Sequence, residues 1–217
     1  MGLAKYHAKR DFKITPEPEG SAKRRGLASK LSFVIQKHQA SHLHYDFRLE
    51  WKGVLRSWAI PKGPSLDVAV KRLAMAVEDH PLEYGGFEGI IPEGQYGGGT
   101  VMVWDRGTWE PENPDVDASL TAGELKFALH GKKLKGSWVL VRTKGWGKSG
   151  KNSWLLIKHK DRFAGSRDVV AEEPRSVLSQ RAMGEIAAAS RGDVAKAAAS
   201  DPAKERRVSN RSGAGKV

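Results

Sequence analysis

The run His42-Leu43-His44-Tyr45-Asp46-Phe47-Arg48-Leu49-Glu50-Trp51 decides the fold of this chain. Its odd positions are all apolar or aromatic and its even positions are all polar or ionisable. Successive side chains of a β-strand point to opposite faces, so the run predicts a strand with one face in a core. The other face carries His44, Asp46 and Arg48 in a row. Imidazole, carboxylate and guanidinium groups on one rigid element suit a metal ion and a phosphate.

The same alternation has a plain structural interpretation, because any half-buried antiparallel strand shows polar side chains to solvent. Two further segments favour a functional face. Residues 33–38, Phe-Val-Ile-Gln-Lys-His, form a second strand-like run that ends in a histidine. Residues 78–81, Glu-Asp-His-Pro, place an acidic pair and a histidine at a strand end. Three segments therefore each bring a histidine close to a turn.

Composition limits the class of protein. A chain of 217 residues with 39% hydrophobic residues can hold one domain of ordinary size plus tails. The formal net charge of +12 favours a polyanionic partner, most simply nucleic acid, although basic proteins of other kinds share it. The absence of cysteine excludes disulfides, thiolate zinc sites and cysteine nucleophiles. No apolar run is long enough to cross a bilayer and no signal peptide is visible, so a cytoplasmic location is expected.

The chain divides into three parts. Residues 1–29 form a polar, basic N-terminal arm, which by composition alone is a flexible leader. Residues 30–165 predict strand after strand with glycine-rich turns, which is typical of a barrel or a sandwich. Residues 166–217 form a low-complexity basic tail that we expect to be disordered, apart from one weak amphipathic helix between residues 176 and 189. The predicted strands are 31–38, 42–51, 54–60, 72–78, 100–105, 107–110, 125–130, 136–142 and 153–159. A short helical pattern is present at 120–127.

Two motif-like stretches point elsewhere. Residues 145–149, Gly-Trp-Gly-Lys-Ser, resemble the end of a phosphate-binding P-loop, but the required earlier glycine is Arg142, so a basic hairpin loop is the better interpretation. His42, His44 and Glu50 resemble a cupin metal motif with a spacing that is too long, and Gly97 stands where the second motif needs a histidine. A cupin-like, metal-dependent barrel enzyme that acts on a small molecule is the alternative prediction.

Several blocks together resemble the 3′-phosphoesterase domain of bacterial DNA ligase D. They are residues 33–38, residues 43–50, Ser57-Trp58-Ala59-Ile60-Pro61-Lys62-Gly63-Pro64-Ser65, Glu78-Asp79-His80-Pro81-Leu82-Glu83-Tyr84, residues 87–99, residues 103–109 and Trp154-Leu155-Leu156-Ile157-Lys158. The resemblance covers roughly residues 8 to 162, and matches this dense are far more specific than a single short motif. No ligase or polymerase module accompanies these blocks, so a stand-alone version or an excised piece is expected.

The resemblance implies a mainly β fold, a compact closed β-barrel with short flanking helices. It also implies a manganese-dependent enzyme that trims a 3′-terminal ribonucleoside and then removes the 3′-phosphate during non-homologous end joining. The expected substrates are DNA or RNA-tipped DNA primer-template 3′ ends. Expected protein partners are an end-joining ligase, a polymerase or Ku, and the chain is expected to be a nucleoid-associated monomer. A non-catalytic DNA-end-binding module is a further alternative, which would keep the charge but could lose the metal ligands.

Site residues follow from the resemblance position by position. The implied metal ligands for Mn²⁺, or another divalent transition metal, are His38, His44 and Asp46. The implied catalytic residues are Arg48 as a phosphate clamp, His80 as a second phosphate contact and Tyr84 as a hydrogen-bonding neighbour. The implied substrate-binding or supporting residues are Arg10, Asp11, Glu17, Gln36, Lys62 and Arg72. Three of these lie in the N-terminal arm, so the resemblance implies that part of the arm folds over the barrel. The core is expected to hold Trp58, Trp104 and Trp109.

Overall fold

The structure is a computed structural model that describes residues 2–20, 30–143 and 152–203. Its strands are β1 (Ser32–Gln39), β2 (Leu43–Trp51), β3 (Val54–Ile60), β4 (Lys71–Ala76), β5 (Gly89–Ile91), β6 (Gly99–Pro111), β7 (Glu124–Gly131), β8 (Lys135–Arg142) and β9 (Ser153–Lys158). The pairing order β1-β2-β3-β4-β9-β8-β7-β6 closes because β6 also pairs with β1. Eight antiparallel strands therefore form a closed barrel, as predicted, and β5 is added along the first residues of β6.

Short helices flank the barrel, in agreement with the prediction. They are α1 (Ala4–His7), a 3₁₀ helix (Leu82–Gly86), α2 (Val116–Ala122), α3 (Val169–Glu172), α4 (Met183–Ala189) and α5 (Val194–Ala198). Helix α2 begins after Asp115, whose side chain accepts a hydrogen bond from the backbone N–H of Ala118, and it ends at Gly123 in the left-handed conformation. Within the described part of the chain, none of the helices has the length and apolar character needed to cross a membrane.

Alternation along the strands fills the barrel with apolar side chains. Phe47 is completely buried, and its ring stacks on that of Phe127 at a centroid distance of 5.7 Å. The three tryptophans expected in the core are confirmed, with exposures of 2% for Trp58, 0% for Trp104 and 1% for Trp109. Burying one large apolar side chain contributes about 1.5–3 kcal/mol, so this face is the main source of stability.

The strand predictions agree closely with the structure except around β6. Residues 100–105 and 107–110 were expected to be separate strands, but they belong to one continuous strand. Gly107 begins the second of these predicted strands. In the structure a Cβ at this position would lie 2.1 Å from the carbonyl oxygen of His130, so the glycine permits close strand pairing. Strand β5 was not predicted, because three residues are too few to show a period.

The predicted disorder of the tail is wrong for residues 166–203, which the structure describes as ordered. Met183, Ile186 and Ala197 join the main hydrophobic core, so α4 and α5 pack against the barrel. Asp201 accepts hydrogen bonds from the backbone N–H groups at the start of α4. The alanine-rich composition suggested low complexity, yet small side chains also allow close helix packing. The expected basic loop at 145–149, the rest of the tail at 204–217 and residues 21–29 of the arm lie outside the described residues.

Candidate metal and phosphate site

Three candidate metal ligands meet on the outer wall of the barrel. His38 on β1 lies directly opposite His44 on β2 in the strand register, and Asp46 follows two residues later on the same face. One ligand atom from each residue lies within 4.8 Å of the others. The pairing of two rigid strands therefore assembles two imidazoles and one carboxylate, as the sequence predicted for this face.

Backbone carbonyls fix which ring nitrogen of each histidine faces the cluster. His38 Nε2 lies 2.8 Å from the carbonyl oxygen of Gly97, and His44 Nδ1 lies 3.0 Å from that of His42. Because a carbonyl oxygen only accepts, both of these nitrogens carry hydrogen. The free lone pairs are then on His38 Nδ1 and His44 Nε2, which lie 3.6 and 3.7 Å from the two oxygens of Asp46. Such second contacts are the usual way in which proteins orient metal-binding histidines.

The charge state of the cluster also suits a cation. Burial on its own raises the pKa of Asp46, but the positive charge of Arg48 together with the contacts to His38 and His44 outweighs it and holds the pKa far below its usual range. Burial lowers the pKa of His44, so this imidazole is neutral at pH 7. An ionised carboxylate and a neutral imidazole are the forms that bind a metal ion.

Arg48 is the centre of a buried hydrogen-bond network. Its Nε donates to Gln36 Oε1 at 2.8 Å, and Nη1 donates to Ser57 Oγ at 2.9 Å and lies 2.9 Å from His80 Nδ1. Nη2 donates to Asp46 at 2.9 Å. A guanidinium has five N–H donors, and the bonds to Gln36, Ser57 and Asp46 use three of them. His80 Nδ1 also faces the carbonyl oxygen of Glu78, so it carries a hydrogen and takes none of the other two. Arg48 therefore supplies charge and orients its neighbours, and its expected role as a phosphate clamp stays a prediction.

His80 and Tyr84 close the site from the segment after β4. Two backbone hydrogen bonds with Leu55, of 2.8 and 3.0 Å, attach His80 to β3. Burial, with the charges of Arg48 and Arg10, lowers the pKa of His80 well below its ordinary value. Burial raises the pKa of Tyr84 well above 10. At neutral pH the site therefore contains an uncharged imidazole and a protonated phenol.

The N-terminal arm packs onto this face. Arg10 Nε donates to Glu17 at 2.9 Å, and Arg10 Nη2 lies 3.4 Å from His80 Nε2. The guanidinium also stacks 3.9 Å from the ring centre of Tyr6. Asp11 is exposed and accepts a hydrogen bond from the backbone N–H of Lys13, so its side chain supports the turn of the arm. The arm thus adds a second arginine to the site.

The metal cluster, Arg10, Arg48, His80 and Tyr84 line one cavity of about 320 Å³, called here the metal cavity. Lys62 and Arg72 are not among its lining residues. Lys62 is exposed after the end of β3. Arg72 lies two positions before the core residue Ala74 on β4, so it faces the barrel interior and not the outer wall. Gln36 supports the cavity from below, where its amide donates to two backbone carbonyls of residues 84 and 87.

Glu78 and Tyr96 line this cavity and were not among the predicted site residues. The carboxylate of Glu78 accepts a hydrogen bond from Lys9 at 2.9 Å, and its carbonyl oxygen lies 2.9 Å from His80 Nδ1. Tyr96, in the glycine-rich loop after β5, is 51% exposed, and its ring centre lies 4.2 Å from Lys9 Nζ. The one signal for Tyr96 in the sequence is its position as a single aromatic among glycines.

The fold and the site define a class, a small closed β-barrel with a His-His-Asp cluster and a cavity lined by two arginines on its outer wall. Residues 36–142 match the family model of the DNA Ligase D 3'-phosphoesterase domain. The multifunctional non-homologous end joining protein LigD of Pseudomonas aeruginosa is 54% identical over 184 residues, covering 83% of this chain and 22% of the relative. The non-homologous end joining DNA repair protein LigD of Mycobacterium tuberculosis is 47% identical over 143 residues, covering 66% of this chain and 18% of the relative.

The chain belongs to the DNA ligase D 3′-phosphoesterase domain family, as the sequence blocks indicated. It spans about a fifth of the length of these curated relatives. The LigD protein of Mycolicibacterium smegmatis is 44% identical over 149 residues, which cover 66% of this chain and 19% of the relative.

Proposed function

We propose that this chain is a manganese-dependent phosphoesterase that heals 3′ ends of DNA and RNA-tipped DNA in bacterial double-strand-break repair. It would act first as a 3′-ribonucleoside phosphodiesterase and then as a 3′-phosphomonoesterase. The single observation that carries the proposal is the cluster of His38, His44 and Asp46 in one cavity with two arginines. The family and the end-joining role in the names of the relatives support it.

The donor set fits a divalent transition ion. Two imidazole nitrogens and one carboxylate suit Mn²⁺ and its neighbours in the series, and three protein ligands leave positions for water and phosphate oxygens. When bound, such an ion polarises a phosphoryl oxygen and lowers the pKa of a bound water. His38 and His44 are held in the required tautomers by the carbonyls of Gly97 and His42, so the cluster is organised in advance.

The protein side chains provide the charge and the proton that the reaction needs. Both proposed steps add water to phosphorus and break a P–O bond, so the leaving oxygen must gain a proton. Arg48 and Arg10 place positive charge beside the phosphate, where it stabilises the charge that develops. His80 is neutral in the free protein. An incoming phosphate anion raises the pKa of His80, which enables this residue to hold the proton for the leaving oxygen.

A nucleic-acid substrate agrees with the charge of the chain. The formal net charge of +12 attracts a phosphate backbone, and such binding weakens as salt rises. We propose the 3′ end of a primer-template as substrate, in the cytoplasm at the nucleoid. A ligase, a polymerase or Ku would then be protein partners of a monomer.

The test is an end-processing assay. Metal-free protein is given Mn²⁺ and a primer-template that ends in a 3′-phosphate or in a single ribonucleotide. We expect phosphate release from the first and removal of the ribonucleoside from the second, while an all-deoxyribose end without phosphate stays intact. His44→Ala should lose both activities and keep its melting temperature. The matched control is His42→Ala, because His42 is an exposed histidine two positions away whose side chain lies outside the cluster.

Three outcomes would redirect the proposal. Undiminished turnover in excess chelator would refute a metal mechanism. Equal activity on a free 3′-mononucleotide and on the primer-template would favour the small-molecule alternative. Tight binding of the 3′ end without any turnover would favour a non-catalytic end-binding module.

A further inference from the structure

A second and larger cavity opens beside the metal cavity. Its volume is about 800 Å³, and we call it the side cavity. The two cavities share Ala40, Ser41, Ile91 and Gly97 as lining residues, so they are contiguous. One wall is the glycine-rich loop between β5 and β6, and the opposite wall is the turn between α4 and α5. A polymer whose end lies in the metal cavity therefore has a continuous path into the side cavity.

The walls of the side cavity suit a sugar-phosphate strand. Gly97, Gly98 and Gly99 line one wall. A Cβ at Gly98 or Gly99 would meet the carbonyl oxygen of Pro92 or Gln39, so the glycines permit this close backbone packing and no side chain projects from them into the cavity. The opposite wall presents Arg191 and Lys196, which are exposed. No ion pair of either side chain is recorded within residues 2–20, 30–143 and 152–203. Phosphate contacts in protein–nucleic acid complexes come mainly from such arginines and lysines.

Two acidic residues, Glu93 and Asp193, also line the side cavity. Asp193 is already engaged, because its side chain accepts a hydrogen bond of 2.9 Å from the backbone N–H of Lys196 at the start of α5. Glu93 lies in the loop on the glycine-rich side. On the wall of the two cations, Asp193 turns its carboxylate to the start of α5, so Arg191 and Lys196 are the side chains of that wall that suit a phosphate.

The backbone conformation of Arg191 points to a use for its side chain. Gly192 N–H bonds to the carbonyl of Ala187 at 2.8 Å, and Arg191 N–H lies 3.4 Å from that of Ala188. This is the Schellman ending of a helix, in which glycine is the usual residue at the left-handed position. Arg191 occupies that position with φ 56°, which is unfavourable for a residue with a Cβ. Residues held in such backbone conformations cluster at functional sites.

We propose that the side cavity binds the nucleic-acid strand on the 5′ side of the scissile phosphate, with Arg191 and Lys196 contacting its backbone phosphates. This inference rests on the proposed function and names the part of the substrate that the metal cavity does not hold. Both proposed substrates possess this strand, whereas a free mononucleotide lacks it. The cationic wall lies outside residues 36–142, which match the family model.

The test removes the two charges without disturbing the fold. In the double variant Arg191→Gly/Lys196→Ala, glycine suits the left-handed position, so the melting temperature should not fall. We expect the Kd for a labelled primer-template to rise at least tenfold, and the slope of log Kd against log salt to fall by about two. KM for the 3′-phosphate primer should rise in parallel while kcat and Mn²⁺ affinity stay unchanged. Kinetics on a free 3′-mononucleotide should also be unchanged.

Two controls make the result specific. Lys132→Ala/Lys135→Ala removes the same charge from exposed residues that line a different cavity, and should change Kd less than twofold. Arg191→Lys with Lys196 intact should bind nearly as well as the wild type. If the Lys132/Lys135 variant loses as much affinity, the weaker binding reflects only the lower net charge of the protein, and the proposal is overturned. An unchanged Kd in the Arg191/Lys196 variant would overturn it too. The binding arm needs no turnover, so its result stands even if end-processing activity is absent.

Discussion

The two faces of β2 are both buried, yet they are built from opposite chemistry. Tyr45 and Phe47 point into the barrel with exposures of 2% and 0%, while Asp46 and Arg48 point outward with exposures of 7% and 2%. The inner face is buried because the barrel closes around it. The outer face is buried because the N-terminal arm, the 3₁₀ helix and the loop after β5 cover it. Alternation in the sequence therefore reveals two faces but not which of them meets solvent.

The two faces also contribute differently to stability. Inner side chains such as Phe47 and Leu49 leave water without burying a polar group, so their burial is favourable in proportion to area. Outer side chains lose hydration of charge, which ion pairing only partly offsets. The paired network of Arg48, Asp46 and Gln36 is thus a poor way to stabilise a barrel. The network is better explained by its place beside the candidate metal ligands, where it orients charged groups.

The largest expected effect is on the inner face. Phe47→Ala should lower the free energy of unfolding by about 3–5 kcal/mol, because it leaves a cavity beside Phe127 that the barrel cannot close. Urea denaturation measures this change. The outer-face variant His44→Ala should differ from the wild type by less than about 1 kcal/mol in the same experiment without metal, because His44 is only partly buried. Equal losses in the two variants would refute the assignment of stability to the inner face.

This difference between the faces sets how much the sequence could predict. Strands β1, β2, β3, β7, β8 and β9 agree with their predicted bounds to within one residue or so, since a period of two is a local signal. The same signal placed His44, Asp46 and Arg48 together. His38 joins them through the antiparallel register, which a hairpin as short as residues 40–42 largely determines.

What the sequence could not predict depends on long-range contacts. Arg10, which pairs with Glu17, places its Nη2 atom 3.4 Å from His80 Nε2, although the two residues are 70 positions apart in the chain. Only the family resemblance pointed to these arm residues. After residue 166 only one weak helix within residues 176–189 was expected, and α4 lies there. The rest was expected to be disordered, because packing against the barrel is what orders it. The hydrogen bonds of Arg48 could not be predicted either, since its four neighbours come from four segments of the chain.

The centre of the outer face can be tested by Arg48→Lys. A lysine keeps the charge beside Asp46, but it cannot bond to Gln36, Ser57 and His80 at the same time. We expect a loss of about 2–3 kcal/mol in unfolding free energy, because charged hydrogen bonds in buried positions are lost. Phosphate release should fall at least a hundredfold. The exposed substitution Arg106→Lys is the control and should change neither quantity, and a fully active Arg48→Lys would show that charge alone suffices.

A smaller effect should appear when the metal-free protein is acidified. His80 has a lowered pKa in the folded state, so below pH 6.5 the unfolded chain binds a proton that the folded chain does not. The stability that His80 contributes is therefore present above pH 6.5 and is lost as the pH falls below that value. Between pH 7.5 and 5.5 the loss from one such group is at most about 1.4 kcal/mol. Urea midpoints at several pH values measure it, and His80→Asn should have a flatter profile. An identical slope in that variant would assign the effect to other histidines.

The smallest expected effect is at the rim of the covered face. Lys9 pairs with Glu78 at 2.9 Å, but its side chain is 37% exposed, so solvent and salt screen the attraction. Lys9→Ala should cost about 0.2–1 kcal/mol, and the difference should shrink in 0.5 M salt. Arg10 is the comparison, because its side chain is only 4% exposed and its removal leaves Glu17 buried without its charged partner. Arg10→Ala should therefore cost several times more and should remain costly in high salt. If both variants lose the same stability and both losses shrink in salt, only exposed ion pairs hold the N-terminal arm to the barrel. The arm would then not bury the outer face of β2 in solution.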